Sequence, residues 1–222
     1  MWAVVPVKRF SDAKTRLANI LSPAERESLA QVMLNDVLRA ICDASLVSGF
    51  AVVSHEIRAR YMIERLGGLY VEESGIGLSD AIRQAGKWLH EHGQRGLLMI
   101  PGDVPLVRGQ DIDQLIAGHQ GSPAVSIVPD REHDGTNGLA VTPPDAIDFK
   151  FGRGSFQKHI SQCEELTIEP RIIRSAGFEL DIDHPMDLQT LLSYEGYNET
   201  ECLSYLTDSG IANRLRREKA KL

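Results

Sequence analysis

The three cysteines, Cys42, Cys163 and Cys202, form no C-x-x-C pair in 222 residues. That excludes a zinc knuckle and a disulfide framework and points to reduced thiols in the cytosol. There is no glycine before Gly49, so no glycine-rich phosphate loop follows the first apolar segment. Neither G-x-x-x-x-G-K-[ST] nor G-x-G-x-x-G occurs anywhere. The zincin signature H-E-x-x-H and the hydrolase signature G-x-S-x-G are missing too. No stretch approaches the ~20 apolar residues of a membrane span. The apolar opening Met1 to Val7 is cut off by Lys8, too short for the centre of a signal peptide. A cytoplasmic protein is expected. Basic residues are in the minority, 24 Lys and Arg against 31 Asp and Glu. The resulting net charge of −7 argues against nucleic acid or an anionic membrane as the main partner.

What is present reads as an α/β protein. Hydrophobic residues at 42% and charged residues at 25% are ordinary for a soluble globular chain, and the length suits one domain over 1–222. Trp2 to Val7 reads as a buried strand, followed by a polar loop to Leu21. Ser22-Pro23-Ala24-Glu25 opens a helix as a capping box with proline at the first position, and Leu29, Met33, Val37 and Ile41 form its core stripe. Strands at 50–53, 69–71, 97–100, 124–128 and 139–141 alternate with helices at 56–66, 78–92, 112–118 and 156–164. That order predicts a mostly parallel sheet with helices on both faces. Residues 176–180 are expected to be a further strand leading to Asp181, and 186–192 a helix. Residues 193–222, poorer in apolar residues, are expected to form a peripheral helical tail, suited to packing on a partner subunit.

Two acidic signatures carry the chemistry. Pro101-Gly102-Asp103-Val104-Pro105 and Asp181-Ile182-Asp183-His184-Pro185 each follow an expected strand, where α/β sheets present their ligands. Asp181 and Asp183 share one face of an extended segment, and two such carboxylates repel unless a cation lies between them. Oxygen donors at a rim suit Mg²⁺. For Asp103 alone a turn aspartate is the competing reading. Lys8, Lys14 and Arg16 follow the first strand, where they can neutralise a triphosphate or form a solvated basic loop. Asp134-Gly135-Thr136-Asn137 and Phe151-Gly152-Arg153-Gly154-Ser155 join glycines to hydroxyl and amide donors, as anion sites do and as ordinary turns also do. His159 lies on the helix that follows.

In this order the blocks resemble one family. Pro6-Val7-Lys8, Ala13-Lys14-Thr15-Arg16-Leu17, Ser22-Pro23-Ala24-Glu25-Arg26, Gly102-Asp103-Val104-Pro105-Leu106, Gly135-Thr136-Asn137, Gly152-Arg153-Gly154-Ser155 with His159, and Asp181 through Leu188 are similar to the guanylyltransferases of deazaflavin coenzyme F-420 biosynthesis. The resemblance covers roughly residues 1 to 192. It implies a single-domain nucleotidyltransferase fold of the glycosyltransferase-A type. The implied reaction is transfer of GMP from GTP to a three-carbon phosphocarboxylate (2-phospho-L-lactate, phosphoenolpyruvate or 3-phospho-D-glycerate) with release of pyrophosphate. It further implies Mg²⁺ at Asp103, Asp181 and Asp183, catalytic roles for Lys8, Lys14, Arg16 and Asp103, and acceptor contacts from Thr136, Gly152 and Ser155. A homodimer is compatible with it. The chain departs from many members at Gly77-Leu78-Ser79, where they carry Gly-Leu-Asn.

Two other readings stay open. One keeps the fold and changes the acceptor to a molybdopterin or sugar phosphate, against which stands the glycine-free Pro6-Val7-Lys8-Arg9-Phe10 slot. The other is a non-catalytic nucleotide-binding module, against which stands the presence of all three aspartates with the basic loop.

Overall fold

The computed structural model describes residues 1–194 and 200–219. In chain order its elements are β1 (Trp2–Val7), α1 (Pro23–Asp43), β2 (Gly49–Ser54), α2 (Arg60–Arg65), β3 (Leu69–Glu72), α3 (Leu78–Glu91), β4 (Leu97–Met99) and α4 (Gly109–Gly118). There follow β5 (Ala124–Pro129), β6 (Thr136–Thr142), α5 (Ser155–Glu165), β7 (Arg171–Ile172), α6 (Ala176–Glu179), α7 (Pro185–Ser193), α8 (Glu201–Asp208) and α9 (Ile211–Lys219). The strands form one sheet in the order β3-β2-β1-β4-β6-β5-β7.

The central strands are apolar throughout, because both of their faces are covered. Alternation sorts their side chains into two layers. Ala3, Val5, Val52 and Leu98 join α1 and α4 on one face, while Val4, Val53, Leu97 and Met99 join α3 and α5 on the other. The pairs β1–β2, β1–β4, β2–β3 and β5–β7 are parallel, and β6 runs antiparallel to both its neighbours, β4 and β5. This reversal has a functional consequence. The register Met99↔Leu139 brings the start of β6, Thr136 and Asn137, to the same rim as the ends of β1 and β4.

The expected capping box at α1 is present in both directions. The Glu25 amide donates to Ser22 Oγ at 3.3 Å and the Ser22 amide to Glu25 Oε2 at 2.8 Å. The expected polar loop before it is two 3-10 turns, Phe10–Asp12 and Thr15–Leu17, pinned by buried Phe10, Leu17 and Leu21.

Two expectations are corrected. Residues 176–179 are a short helix, not a strand. Phe178 and Glu179 donate their amides back to Ser175 O, and Ser175 Oγ donates to Asp111 Oδ1 at the start of α4. A Cβ on Gly177 would lie 2.5 Å from Asp111 Oδ2, so only glycine lets the turn pack this closely. The edge position falls instead to the two-residue β7. The second correction concerns the tail, which packs into the protein. Residues 195–199 and 220–222 of that span lie outside the described residues. In the described part, Cys202, Leu206, Ile211 and Leu215 are buried in a third apolar cluster with Leu29 and Met33 of α1, Leu106 and Ile182. The reason is that α1 is apolar on two sides, one facing the sheet and the other covered by α8. Asp36 of α1 caps α8 from outside, accepting the amides of Glu201 at 2.7 Å and Cys202 at 2.9 Å. Among the described residues no helix is long and apolar enough to cross a membrane.

The packing of the tail predicts a measurable cost. Leu206→Ala should destabilise the protein by about 2–5 kcal/mol in a urea titration, while Asn213→Ala on the exposed side of α9 should stay within about 0.5 kcal/mol. Equal, small effects would mean that the tail is peripheral after all.

Candidate active site

Lys14 has left-handed backbone geometry, φ 54° and ψ 37°, an uncommon and costly state for a non-glycine residue. That turn sends its side chain inward, where it is only 7% exposed. Its ammonium donates to Asp103 Oδ2 at 2.6 Å and to Asp183 Oδ1 at 3.0 Å. Arg16 Nη1 donates to the other oxygen of Asp183, also at 3.0 Å, and lies 3.4 Å from His184 Nε2. A backbone bond from the Ile182 amide to Asp103 O, 3.1 Å, stitches the two acidic segments together. Burial works against the charge of Lys14, but Asp103 and Asp183 outweigh it and raise its pKa. Burial likewise opposes the Asp183 carboxylate, and there Lys14 and Arg16 prevail and lower its pKa. Lys8 stays exposed at the start of the loop, outside this cluster.

Asp181 has a different environment. Ile182 is fully buried between the two aspartates, as alternation requires, and Asp181 Oδ1 accepts from Asn137 Nδ2 at 3.1 Å. Burial and the nearby Asp103 charge push its pKa up to about 6. The same Asn137 nitrogen donates to Phe178 O at 2.9 Å. Asn137 therefore carries a positioning role that sequence reasoning passed over; it stood beside Thr136 in the motif, but nothing local announced its partners. Glu56 was missed as well. It accepts the Phe10 amide at 3.0 Å and is clasped by Arg58, which anchors the start of the basic loop. Arg58 as hydrogen-bond partner outweighs burial there and lowers the Glu56 pKa to about 2. Asp187 receives the amides of Asp183 and His184; Pro185 signalled the helix start, but His184 and Asp187 are not the residue types of a capping-box signature.

Beside this cluster, Thr136 and Ser155 meet as the motifs suggested, with Ser155 Oγ 3.3 Å from Thr136 Oγ1. Gly152 and Gly154 hold φ of 97° and 69° in the turn before α5, a conformation that favours glycine. Asp134 locks the turn by accepting the Gly154 amide through its side chain and the Phe156 amide through its backbone. At the departure site, Ser79 Oγ accepts the Phe151 amide at 3.0 Å, so this hydroxyl ties α3 to the same turn. Thr136 and Asn137, adjacent at the start of β6, serve the two halves of the site.

A family model described as "Guanylyl transferase CofC like" matches residues 1–221. The chain belongs to the CofC-like guanylyl transferases. This bears out the resemblance read from the motifs. A phosphoenolpyruvate guanylyltransferase of Sphaerobacter thermophilus is 36% identical over 86% of this chain and 92% of its own length. One from Rubrobacter xylanophilus is 34% identical over 86% and 93%. A 2-phospho-L-lactate guanylyltransferase of Methanobrevibacter ruminantium is 30% identical over 95% and 92%. Among solved structures, a Desulfovibrio desulfuricans chain assigned to the nucleotide-diphospho-sugar transferases superposes with a TM-score of 0.77 at 13% identity, covering 98% and 96%. A nucleotidyl transferase from Methanothermobacter thermautotrophicus gives 0.59 at 18%, covering 86% and 94%. At these identities the structures speak for the fold alone, which is the expected α/β nucleotidyltransferase architecture.

In this guanylyltransferase no three His, Cys, Asp or Glu side chains among the described residues are grouped so as to hold a metal ion, so the expected triad of Asp103, Asp181 and Asp183 is not assembled as a ligand set; the Lys14 ammonium lies between Asp103 and Asp183 instead. The donors suit a different arrangement. Mg²⁺ is commonly held by one or two carboxylates, with waters and substrate phosphates completing the shell. Asp103 and Asp181 are the carboxylates for such a pair, and burial first, then the Asp103 charge, raises the Asp181 pKa.

The sign of the pH effect follows. Because the folded pKa of Asp181, about 6, lies above its ordinary 3.8, the stability it contributes is full below about pH 4 and is lost as pH rises through 6. Asp181→Asn, which mimics the protonated form, should therefore make the ligand-free and metal-free protein more stable at pH 8, by on the order of 1–3 kcal/mol. The advantage should vanish near pH 4. Denaturation curves showing no pH-dependent gap would contradict this account of Asp181.

Proposed function

We propose that this guanylyltransferase transfers GMP from GTP to phosphoenolpyruvate, depends on Mg²⁺, and does its chemistry at the rim where Lys14 meets Asp103 and Asp183. The observation that carries the reading is the buried Lys14 ammonium between two carboxylates, with Arg16 on the outer one. Such an alternation of charge can receive a polyanion and a divalent cation together. The acceptor is chosen from the relatives, of which those of Sphaerobacter thermophilus and Rubrobacter xylanophilus, 36% and 34% identical, are named for phosphoenolpyruvate.

The reaction is an in-line displacement. A phosphate oxygen of the acceptor forms a bond to the α-phosphorus of GTP as the bond from that phosphorus to the oxygen bridging the α- and β-phosphates breaks, and that oxygen leaves as a terminal oxygen of pyrophosphate. The attacking oxygen is already ionised, so no side chain need remove a proton. What the reaction needs is positive charge, because two anions must meet and the leaving pyrophosphate gathers more. Lys14 and Arg16 supply it from the protein, with Arg16 able to make forked contacts to phosphate oxygens. Bound Mg²⁺, held by Asp103 and Asp181 with Asp183 alongside, would polarise phosphoryl oxygens. Thr136, Gly152 and Ser155 hold the acceptor so that its oxygen lies on the line of attack. Lys8, exposed at the loop start, is suited to the outer phosphates of the nucleotide.

Pyrophosphate release tests the reading. With GTP, phosphoenolpyruvate should give faster turnover than 2-phospho-L-lactate or 3-phospho-D-glycerate, and chelation should abolish it. Equal or faster turnover with CTP, or full activity in excess chelator, would refute the assignment.

A further inference from the structure

His159 is fully buried on the first turns of α5, its ring packed edge-to-face with that of Phe151 at a centroid separation of 5.0 Å. Its Nε2 lies 3.1 Å from the amide of Lys150. A backbone amide can only donate, so Nε2 must hold a lone pair and the proton must be on Nδ1. Nδ1 is 3.1 Å from Thr136 Oγ1, so that contact has a fixed direction, with the ring donating and the threonine oxygen accepting. Ser155 Oγ donates to the same oxygen at 3.3 Å. Both lone pairs of Thr136 are then occupied, and its hydroxyl hydrogen is left over. The ring cannot easily escape this state by taking a second proton. Burial, then Lys150 and Lys158, lower its pKa to about 4, against a smaller opposing pull from Asp148.

We propose that His159 is a positioning residue that fixes Thr136 as an obligate hydrogen-bond donor toward the acceptor, so that the Thr136 hydroxyl receives an anionic oxygen and cannot accept from a group that must itself donate. The chain of donation runs from the Lys150 amide through the ring to Thr136, and ends on the one hydroxyl hydrogen the pair has to spare. A carboxylate or phosphate oxygen satisfies that hydrogen, whereas an amine or hydroxyl donor finds no lone pair left on Thr136 and could turn only to Ser155 Oγ. The inference rests on Thr136 and Ser155 being acceptor contacts.

Two measurements test it. In long-range ¹H–¹⁵N spectra of the histidine-labelled protein, with the signal identified by its loss in His159→Asn, His159 should show the Nδ1–H neutral form and should not titrate between pH 5.5 and 8. An Nε2–H form or a protonated ring in that range overturns the relay. In kinetics, His159→Leu should raise the acceptor KM by on the order of tenfold and leave the GTP KM within about twofold. His159→Asn, whose amide N–H takes the place of Nδ1–H, should recover most of that loss. In a Thr136→Val background His159→Leu should add nothing, since its partner is already gone. If Thr136→Val itself leaves the acceptor KM unchanged, the acceptor assignment fails and the proposal with it. If Thr136→Val weakens the acceptor but His159→Leu is silent or fully additive, or if Asn is as damaging as Leu, the acceptor site stands and the relay alone is wrong.

Discussion

The Lys14 ammonium, placed between Asp103 and Asp183, is the interaction on which the rest of the site depends. It joins segments 89 and 169 residues away in sequence and draws them to one rim. At an effective dielectric near 20, unit charges 3 Å apart attract by about 5 kcal/mol. Most of that is offset by burying an ammonium, which costs several kcal/mol. The arrangement is thus a weak source of net stability but a strong constraint on geometry. With Lys14 gone, three carboxylates would face one another without a buried counter-charge. The left-handed turn at Lys14 is a local strain that places this cation, as backbone strain at functional sites commonly does.

The sheet explains how the two halves of the site come to be neighbours. Parallel strands bring only their C-terminal ends to the rim, and β1 and β4 do so with the basic loop and Asp103. The antiparallel β6 brings its beginning there instead, and with it a threonine and an asparagine in succession. Because neighbouring residues of a strand point to opposite sides, Asn137 turns to Asp181 and Phe178 while Thr136 turns to α5. One strand start therefore holds an acidic element on one side and the hydroxyl pair on the other. The departure at Ser79 fits the same logic, since its hydroxyl is engaged by the turn that carries Gly152 and Gly154.

Local features were readable from the sequence. The Ser22–Glu25 box, the apolar run of β1, the aspartate after β4 and the glycine turn before α5 each depend on residues within a few positions, and the structure has them. The pairing of Lys14 with Asp103 and Asp183 was foreshadowed by charge: adjacent carboxylates require a cation, and basic residues stood after the first strand. That the cation in the structure is the lysine itself was not foreseen. What escaped were contacts set by tertiary packing. Leu206 and Leu215 look sparse until α1 is seen to have a second apolar side. Residues 176–179 have a strand-like apolar content, and only the clash a Cβ at Gly177 would make with Asp111 reveals the tight turn. Asn137 and Glu56 act on partners 41 and 46 residues away, a separation at which no spacing rule operates.

The central claim is that Asp103 belongs to the reacting centre and is not a turn aspartate. Asp103→Asn keeps the shape of the side chain and leaves Lys14 its bond to Asp183, so the variant should fold, as judged by circular dichroism and a Tm close to that of the parent. Turnover at saturating GTP and acceptor is the direct measurement. The account predicts a loss on the order of 10²-fold or more; activity within a few-fold of the parent, in a variant that binds GTP normally, would contradict it.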